Sequence, residues 1–227
     1  METKTLETKI GVQFKNKDFL LTALTHRSYL NENPSWKLDH NERLEFLGDA
    51  VLEMVVTEDL YAKHDNPEGE LTNWRAALVN AVMLAQISTE IDLNDYILMS
   101  RGEAKDTGRA RQYILANAME ALIGAIYLDQ GYAVAAEFIQ RYVLKELSRI
   151  IEQRLYRDAK SMFQEQAQEK VGITPGYEVL EESGPDHARQ FKVGVYLGSE
   201  LIGEGKGASK QEAQQKAAEA ALKAKGW

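Results

Sequence analysis

The chain has 227 residues, of which 44% are hydrophobic, and a formal net charge of −8. Its length predicts one or two globular domains with a sizeable core, and the absence of cysteine excludes disulfides, thiolate metal sites and cysteine nucleophiles. The polar N-terminus and short apolar runs predict neither a signal peptide nor a membrane span, so we expect a cytoplasmic protein without a membrane partner.

The first part of the chain has helical periodicity from Asp18 to about Glu152. Loops are predicted at 31–35, 64–70 and 100–111, where residues that turn or break helices are concentrated. No alternating run long enough for a strand occurs in this part. These patterns predict an all-α domain over residues 1–153.

One predicted helix, HNERLEFLGDAVLEMVV at 40–56, carries a row of carboxylates. Glu42, Glu45, Asp49 and Glu53 are spaced so that they share one helical face. Apolar residues occupy most other positions, which predicts a helix buried on nearly every side with its acids deep in a cleft.

The pattern changes after a predicted linker at 154–158. A helix over 161–172 is followed by three predicted strands at 177–183, 190–198 and 200–207. Ser209 and Glu212 predict a capping box at the start of a final helix. Its apolar stripe comprises Ala213, Ala217, Ala220, Ala221 and Ala224. The predicted fold is therefore two domains, an all-α domain followed by an α+β domain (α-β-β-β-α) over residues 159–227.

Charge is divided unevenly between these parts. Up to Tyr156 there are 17 basic and 24 acidic residues, and after it 10 basic and 11 acidic ones. The acidity therefore belongs to the helical domain, where a cleft that gathers carboxylates for cations would produce it. Bound metal would reverse the local sign, so the acidic composition does not exclude a polyanionic partner.

Several segments, in order, resemble the ribonuclease III family. They are ALTHRSY, HNERLEFLGDAVL, NPEGELTNWRAALVN and SRGEAKDTGRARQYILANAMEALIGAIYLDQGY. The second unit resembles a double-stranded RNA-binding domain through QEQAQEK, GPDHARQF and GKGASKQEAQQKAA. The resemblance implies an endoribonuclease that uses Mg²⁺, for which Mn²⁺ can substitute, and no organic cofactor. It implies cleavage of double-stranded RNA to 5′-phosphate and 3′-hydroxyl ends with short 3′ overhangs, in rRNA and mRNA maturation. Because staggered cleavage of both strands needs two related sites, we expect a homodimer through the helical domain.

The resemblance also implies roles for acidic residues. Glu45, Asp49, Asn117 and Glu120 match the metal-binding and catalytic positions. Glu42 and Glu68 match auxiliary acidic positions. The alternative is that the acids form structural ion pairs with Arg43 or Arg75.

Asn117 departs from the family pattern, which normally has Asp there. An alternative interpretation is therefore a catalytically impaired protein that binds double-stranded RNA without cleaving it.

Other residues on the acidic helix and near it have simpler expected roles. Phe46 is expected, from the resemblance, to pack into a partner subunit, with an ordinary core position as the alternative. Glu53 is expected to be solvated or ion-paired, and His26 to be a hydrogen-bonded structural residue. We predict core positions for Trp74 and Tyr113.

The second domain is expected to read RNA by shape, because A-form duplexes expose 2′-hydroxyls and phosphates rather than base edges. The resemblance places Gln164 and Glu165 in one minor groove, His187 in a second, and Lys210 on the phosphates between them. The family usually has a basic residue where this chain has Gln211, and often another at Gln214. The sequence offers two further cations that could compensate, Lys206 and Lys216.

Overall fold

The computed structural model describes residues 3–156, 158–185 and 189–227. The chain divides into two compact units, Met1–Tyr156 and Arg157–Trp227. The division falls inside the predicted linker, whose limits stay a prediction. Within the described ranges no helix is long and apolar enough to cross a membrane.

The first unit is helical, as predicted. Its α-helices are α1 (Lys4–Ile10), α2 (Lys17–Ala23), α3 (Arg27–Glu32), α4 (Glu42–Lys63), α5 (Glu68–Val79), α6 (Ala81–Glu90), α7 (Arg109–Gln130), α8 (Tyr132–Tyr142) and α9 (Leu147–Glu152). Short 3₁₀ turns occur at Leu93–Tyr96, Glu103–Lys105 and Leu144–Glu146. One isolated parallel bridge joins Thr25 to Leu98.

Side-chain caps divide helical segments that the periodicity alone does not separate. Asn80 has an extended backbone between α5 and α6, and its Oδ1 accepts a hydrogen bond from the Met83 amide at 2.9 Å. His26 similarly begins α3, because its ring nitrogen accepts from the Ser28 amide at 3.3 Å. This capping contact confirms the structural role predicted for His26.

Helices α4 and α7 cross at two glycines. A Cβ atom added to Gly48 would lie 1.7 Å from the carbonyl oxygen of Glu120, and one added to Gly124 would lie 2.3 Å from that of Leu44. The two backbones are therefore nearly in contact, at a distance that any larger residue would increase. This crossing sets the separation of the side chains on either side of it.

The prediction that α4 is buried on nearly every side is wrong. Phe46 is 82% exposed, Met54 is 61% exposed, and Ala50 between them is also exposed. The helix packs on one side only, through residues such as Leu52 and Val56. A stripe of apolar residues on its other side is therefore exposed. Asp49 lies at the open surface rather than deep in a cleft.

The two aromatic residues assigned to the core have different environments. Trp74 is only 5% exposed and packs edge-on against the rings of His64 and Tyr156, which confirms its core position. Tyr113 is 48% exposed, so its predicted core position is wrong. Tyr113 lies near the start of α7, beside residues that are buried from Ile114 onward.

The second unit has the predicted α-β-β-β-α order. It consists of α10 (Ala159–Val171), β1 (Gly176–Ser183), β2 (Gln190–Leu197), β3 (Glu200–Gly207) and α11 (Lys210–Lys225). The strands form an antiparallel sheet in the order β1-β2-β3. Val193, Val195 and Leu197 are buried, as their alternation predicts.

The last helix lies close against β3. A Cβ at Gly205 would be 2.4 Å from the Ala213 carbonyl oxygen, and one at Gly203 would be 2.7 Å from that of Ala217. Ala213, Ala217 and Ala221 are buried, whereas Ala220 is half-buried and Ala224, placed on the predicted apolar stripe, is exposed.

The predicted cap of α11 is present. The Ser209 hydroxyl accepts from the Glu212 amide at 3.2 Å, and the Glu212 carboxylate accepts from the Ala208 amide at 3.0 Å. This arrangement fixes the start of α11, where Lys210 lies.

Candidate active site

The α4–α7 crossing brings together the principal acidic positions. Glu45 and Asp49 are one turn apart on α4, and Asn117 and Glu120 are three residues apart on α7. The Asn117 side chain hydrogen-bonds to Glu45, and the Glu120 carboxyl interacts electrostatically with Asp49 and Glu45. The structure thus places these four side chains at one site.

Burial and like charge raise the pKa values of two carboxyl groups at this site. Burial, with the nearby Asp49 and Glu45 charges, raises the pKa of Glu120 to about 8. Burial and the Glu42 and Asp49 charges raise the pKa of Glu45, and the hydrogen bond to Asn117 opposes this rise. A cation between the carboxylates would relieve their repulsion.

The donor chemistry fits a hard divalent cation. Carboxylate and amide oxygens are ligands that Mg²⁺ accepts, and Mg²⁺ usually retains several waters besides a few protein ligands. Across the described ranges, however, no three Asp, Glu or His side chains converge closely enough to form a metal site by themselves. The Asn117 oxygen, water and substrate phosphate would therefore have to complete the coordination.

Glu42 lies next to Glu45 but has other partners. Its carboxylate is 3.5 Å from Arg27 Nη1 and 3.8 Å from His40 Nδ1. Arg75 instead donates to the Thr57 hydroxyl at 2.9 Å. In the part of the chain that the structure describes, no ion pair joins Arg43 or Arg75 to the acidic residues, so the structural ion-pair alternative has no support there.

Glu68 lies apart from the α4–α7 site within one chain, because its charge is not among those that act on Glu45 or Glu120. It begins α5 and lines a cavity of about 770 Å³ together with Thr57, His64 and Arg75. Thr57 lies eight residues beyond Asp49, which is about 12 Å along a helix. Glu53, which matched no functional position, is exposed on α4.

Phe46 is exposed beside an apolar cleft. The cleft has a volume of about 740 Å³, and Phe19, Leu44, Leu47 and Leu128 contribute to its walls. The alternative that Phe46 is an ordinary core residue is wrong, because 82% of it is exposed.

The residues predicted to bind RNA lie on two elements of the second unit. Gln164 and Glu165 are exposed on α10, along a groove of about 540 Å³. Lys206, Lys210 and Lys216 are also exposed. His187 lies outside the described residues.

The environments of these three lysines differ. The Lys210 ammonium is 5.6 Å from the centre of the Phe191 ring, and Lys216 forms an ion pair with Glu212 at 2.8 Å. Gln214, where the family resemblance predicts a basic residue, accepts a hydrogen bond from Lys160 at 2.9 Å. Sequence reasoning did not single out Lys160.

Sequence reasoning also missed Gly48 and Gly124. A glycine inside a helix costs about 1 kcal/mol relative to alanine, so two glycines in predicted helices were a usable signal of close packing. Only the structure shows that they face each other.

Two family models match the chain. Residues 16–147 match the model described as Ribonuclease-III-like, and residues 159–225 match the double-stranded RNA binding motif. The first match covers more than half of the sequence and includes Glu42, Glu45, Asp49, Glu68 and Glu120.

Curated relatives match over most of their length. Ribonuclease 3 of Borreliella afzelii (strain PKo) is 46% identical over 216 residues, covering 95% of this chain and 88% of the relative. Ribonuclease 3 of Pelotomaculum thermopropionicum (strain DSM 13744 / JCM 10971 / SI) is 43% identical over 218 residues, covering 96% and 90%.

A solved structure resembles the first unit. The nuclease domain of ribonuclease III from Campylobacter jejuni is 43% identical, with a TM-score of 0.58, and the match covers 63% of this chain and 97% of that one. That structure is described as showing flexibility in a region involved in dimer formation. On these matches, and with a nuclease domain followed by a double-stranded RNA-binding domain, the chain belongs to the ribonuclease III family of endoribonucleases.

Proposed function

We propose that this protein hydrolyses double-stranded RNA at the α4–α7 site with Mg²⁺, for which Mn²⁺ can substitute. The observation that carries the proposal is the meeting of Glu45, Asp49 and Glu120 with the Asn117 amide at the glycine crossing. The expected products have 5′-phosphate and 3′-hydroxyl ends.

The residues of the site would hold the cation through oxygen atoms. Glu45 and Asp49 approach from α4, and Asn117 and Glu120 from α7. When bound, such an ion neutralises phosphate charge and lowers the pKa of a coordinated water. Without the cation, the pKa of the Glu120 carboxyl is about 8, so this group keeps its proton at lower pH. Glu42 would orient water or substrate from the next turn of α4.

The second unit would supply affinity for the duplex. Its exposed Gln164 and Glu165 suit contacts to 2′-hydroxyls, and the exposed Lys210 suits a phosphate. Lys206 and Lys216 would add charge. Recognition of this kind depends on duplex shape rather than on base sequence.

We also propose a homodimer formed through the first unit. Staggered cleavage of two strands needs two related sites, which C2 symmetry supplies, and this would produce short 3′ overhangs. Phe46, Ala50 and Met54 form an exposed stripe on α4 that suits such an interface. Exposed aromatic residues beside apolar clefts are common anchors of interfaces.

A second candidate is a binding protein with impaired cleavage. Asn117 favours it, because the amide is neutral at a position where the family resemblance predicts a carboxylate. An amide oxygen can still bind a hard cation, but with less electrostatic attraction than a carboxylate.

The family resemblance suggests the cytoplasm as the setting, and the maturation of rRNA and mRNA precursors as the process.

The deciding experiment incubates the purified protein with a long RNA duplex in Mg²⁺, with EDTA as the control. The proposal expects short duplex products with 5′-phosphates in Mg²⁺ and none in EDTA. Glu120→Gln should bind the duplex and leave it intact. A wild-type protein that binds duplex but never cuts it, at high protein and metal concentrations, would favour the second candidate.

A further inference from the structure

The first turn of α10 is fixed to α11 by side chains. Asp158 Oδ1 accepts hydrogen bonds from the Ser161 amide at 2.8 Å and from Gln215 Nε2 at 3.0 Å. Gln215 Oε1 in turn accepts from the Lys160 amide at 3.3 Å. The backbone of Lys160 is therefore held in a defined position relative to α11.

The side chain of Lys160 is also held. Its Nζ donates to Gln214 Oε1 at 2.9 Å and lies 5.1 Å from the centre of the Tyr177 ring. Both partners are uncharged side chains, so they orient the ammonium without neutralising it. A lysine already ordered in this way loses less conformational entropy on binding than a free one.

Lys160 lies on one of the two helices that carry the proposed RNA contacts and forms a hydrogen bond with the other. Gln164 is four residues after Lys160 on α10, and Gln214 is four residues after Lys210 on α11. Residues four apart on a helix are neighbours, with Cβ atoms about 6 Å apart. The Lys160 ammonium thus contacts a residue that is one helical turn from Lys210, and Lys160 is itself one turn from Gln164 on α10.

Many cations of the second unit are already paired. Carboxylates lie 2.7 Å from the Lys192 ammonium, 2.8 Å from that of Lys216 and 3.3 Å from that of Lys225. Over residues 158–185 and 189–227, no ion pair is formed by Lys160 or Lys210. Lys160 and Lys210, near the first turns of α10 and α11, therefore each retain a positive charge that is available for a phosphate.

We propose that Lys160 is a further phosphate-binding residue of the double-stranded RNA surface, acting beside Lys210. The inference rests on the proposed function, because that function places the duplex on α10 and the start of α11. Lys160 supplies a charge beside Gln214, at a point where α11 itself has only an amide.

The test measures duplex binding by the full chain in EDTA, where cleavage is blocked, over a series of salt concentrations. The duplex should exceed the roughly 16 base pairs that one such domain spans. The main variant is Lys160→Met, which keeps the length of the side chain and removes its charge. Lys160→Arg retains the charge and tests whether charge rather than shape matters.

Lys170→Met is the matched control. Lys170 is on the same helix, likewise forms no ion pair within the described part of the unit, and lies 5.4 Å from an aromatic ring centre, that of Trp227. It is ten residues from Lys160, about 15 Å along the helix. It is therefore a second lysine of α10 with an aromatic neighbour and no ion pair, at the other end of the helix.

We expect Lys160→Met to weaken binding several-fold and to reduce the slope of log Kd against log salt by about 1, as loss of one phosphate contact does. Lys160→Arg and Lys170→Met should retain the wild-type slope. If Lys210→Met reduces the slope and a folded Lys160→Met does not, the inference fails while the proposed function stands. If the wild-type protein does not bind duplex, the proposed function itself fails.

A lower slope in Lys160→Met supports the inference only if circular dichroism shows an unchanged fold. If that variant unfolds, Lys160→Gln, which can retain a hydrogen bond to Gln214, replaces it with the same expected change in slope. An unchanged slope in folded Lys160→Gln would overturn the inference.

Discussion

Gly48 of α4 and Gly124 of α7 face each other so closely that a Cβ on Gly48 would lie 2.8 Å from the Gly124 amide nitrogen. The same added atom would lie 1.7 Å from the Glu120 carbonyl oxygen, so no rotation of a side chain could remove the clash. Glu45 and Asp49 lie on either side of Gly48 along α4. The distance between the two helix backbones therefore controls how the carboxylates meet.

We expect Gly48→Ala to destabilise the first unit by about 3 kcal/mol, the upper part of the range for overpacking, because the clash is with backbone. Cleavage should fall even under conditions in which the variant is folded. Gly69→Ala is the control, since nothing lies within 4 Å of its added Cβ. Gly69 is in α5, so alanine should leave stability unchanged or raise it by up to about 1 kcal/mol. Urea unfolding followed by circular dichroism measures both, and equal effects would contradict the packing argument.

Asn117→Asp should lower the Mg²⁺ concentration needed for cleavage. A carboxylate adds a full negative charge where the amide offers only a carbonyl oxygen, so metal should bind more tightly. Without metal, the same change replaces a hydrogen bond to Glu45 with repulsion, so the unfolding free energy in EDTA should fall. Single-turnover cleavage over a Mg²⁺ titration provides the comparison. A midpoint that is unchanged or higher in the Asp variant would show that the site has adapted to Asn117.

Stability in EDTA should decrease as pH rises through the titration of Glu120. The folded-state pKa is about 8, whereas an unfolded glutamate has a pKa of about 4.3, so between these values the folded state holds the extra proton. The stability that this proton contributes is fully present below about pH 4 and is lost as the pH rises to about 8.

The matched variants are Glu120→Gln, which should flatten this part of the pH profile, and Glu53→Gln, an exposed change on α4, which should not. Urea midpoints at several pH values measure the effect. A profile of Glu120→Gln parallel to that of the wild type would contradict the assignment.

Phe46→Ala should convert a dimer into a monomer at micromolar concentration. Removing an aromatic anchor from an interface commonly costs about 2 kcal/mol or more, which is about a 30-fold rise in Kd. Val82→Ala, a change at a 63% exposed apolar residue on α6, is the control. Light scattering gives the mass of each protein, and a monomeric wild type would refute the proposed dimer.

Removal of the chain from Asp158 onward should leave a folded helical unit that still dimerises. The acidic residues and their supporting helices all precede this point. RNA binding should weaken, because Gln164 and Lys210 are lost, while cleavage should persist at low salt. Loss of the helical circular dichroism signal in the shortened protein would show that the predicted linker is placed wrongly or that the first unit depends on the second.

Sequence periodicity by itself predicted helix from Asp18 onward in the first unit and three strands in the second. It did not predict α1 or the breaks that His26 and Asn80 make. The second strand followed from the alternation of residues such as Val193 and Val195, since a half-buried strand has a period of two. Ser209 marked the start of α11 because a cap is a local interaction. The segment that contains Glu45 and Asp49 indicated the family together with the segments before and after it, because their order along the chain is a property of the sequence alone.

Only the tertiary structure decided what faces solvent and what faces another helix. An apolar residue on a helix contributes the same pattern whether it is covered, like Leu52, or exposed, like Phe46, because hydrophobicity does not specify which element covers it. The approach of Gly48 to Gly124 and the contact of Lys160 with Gln214 join residues more than 50 positions apart. Local propensities cannot determine such pairs, because they depend on how the packed helices cross.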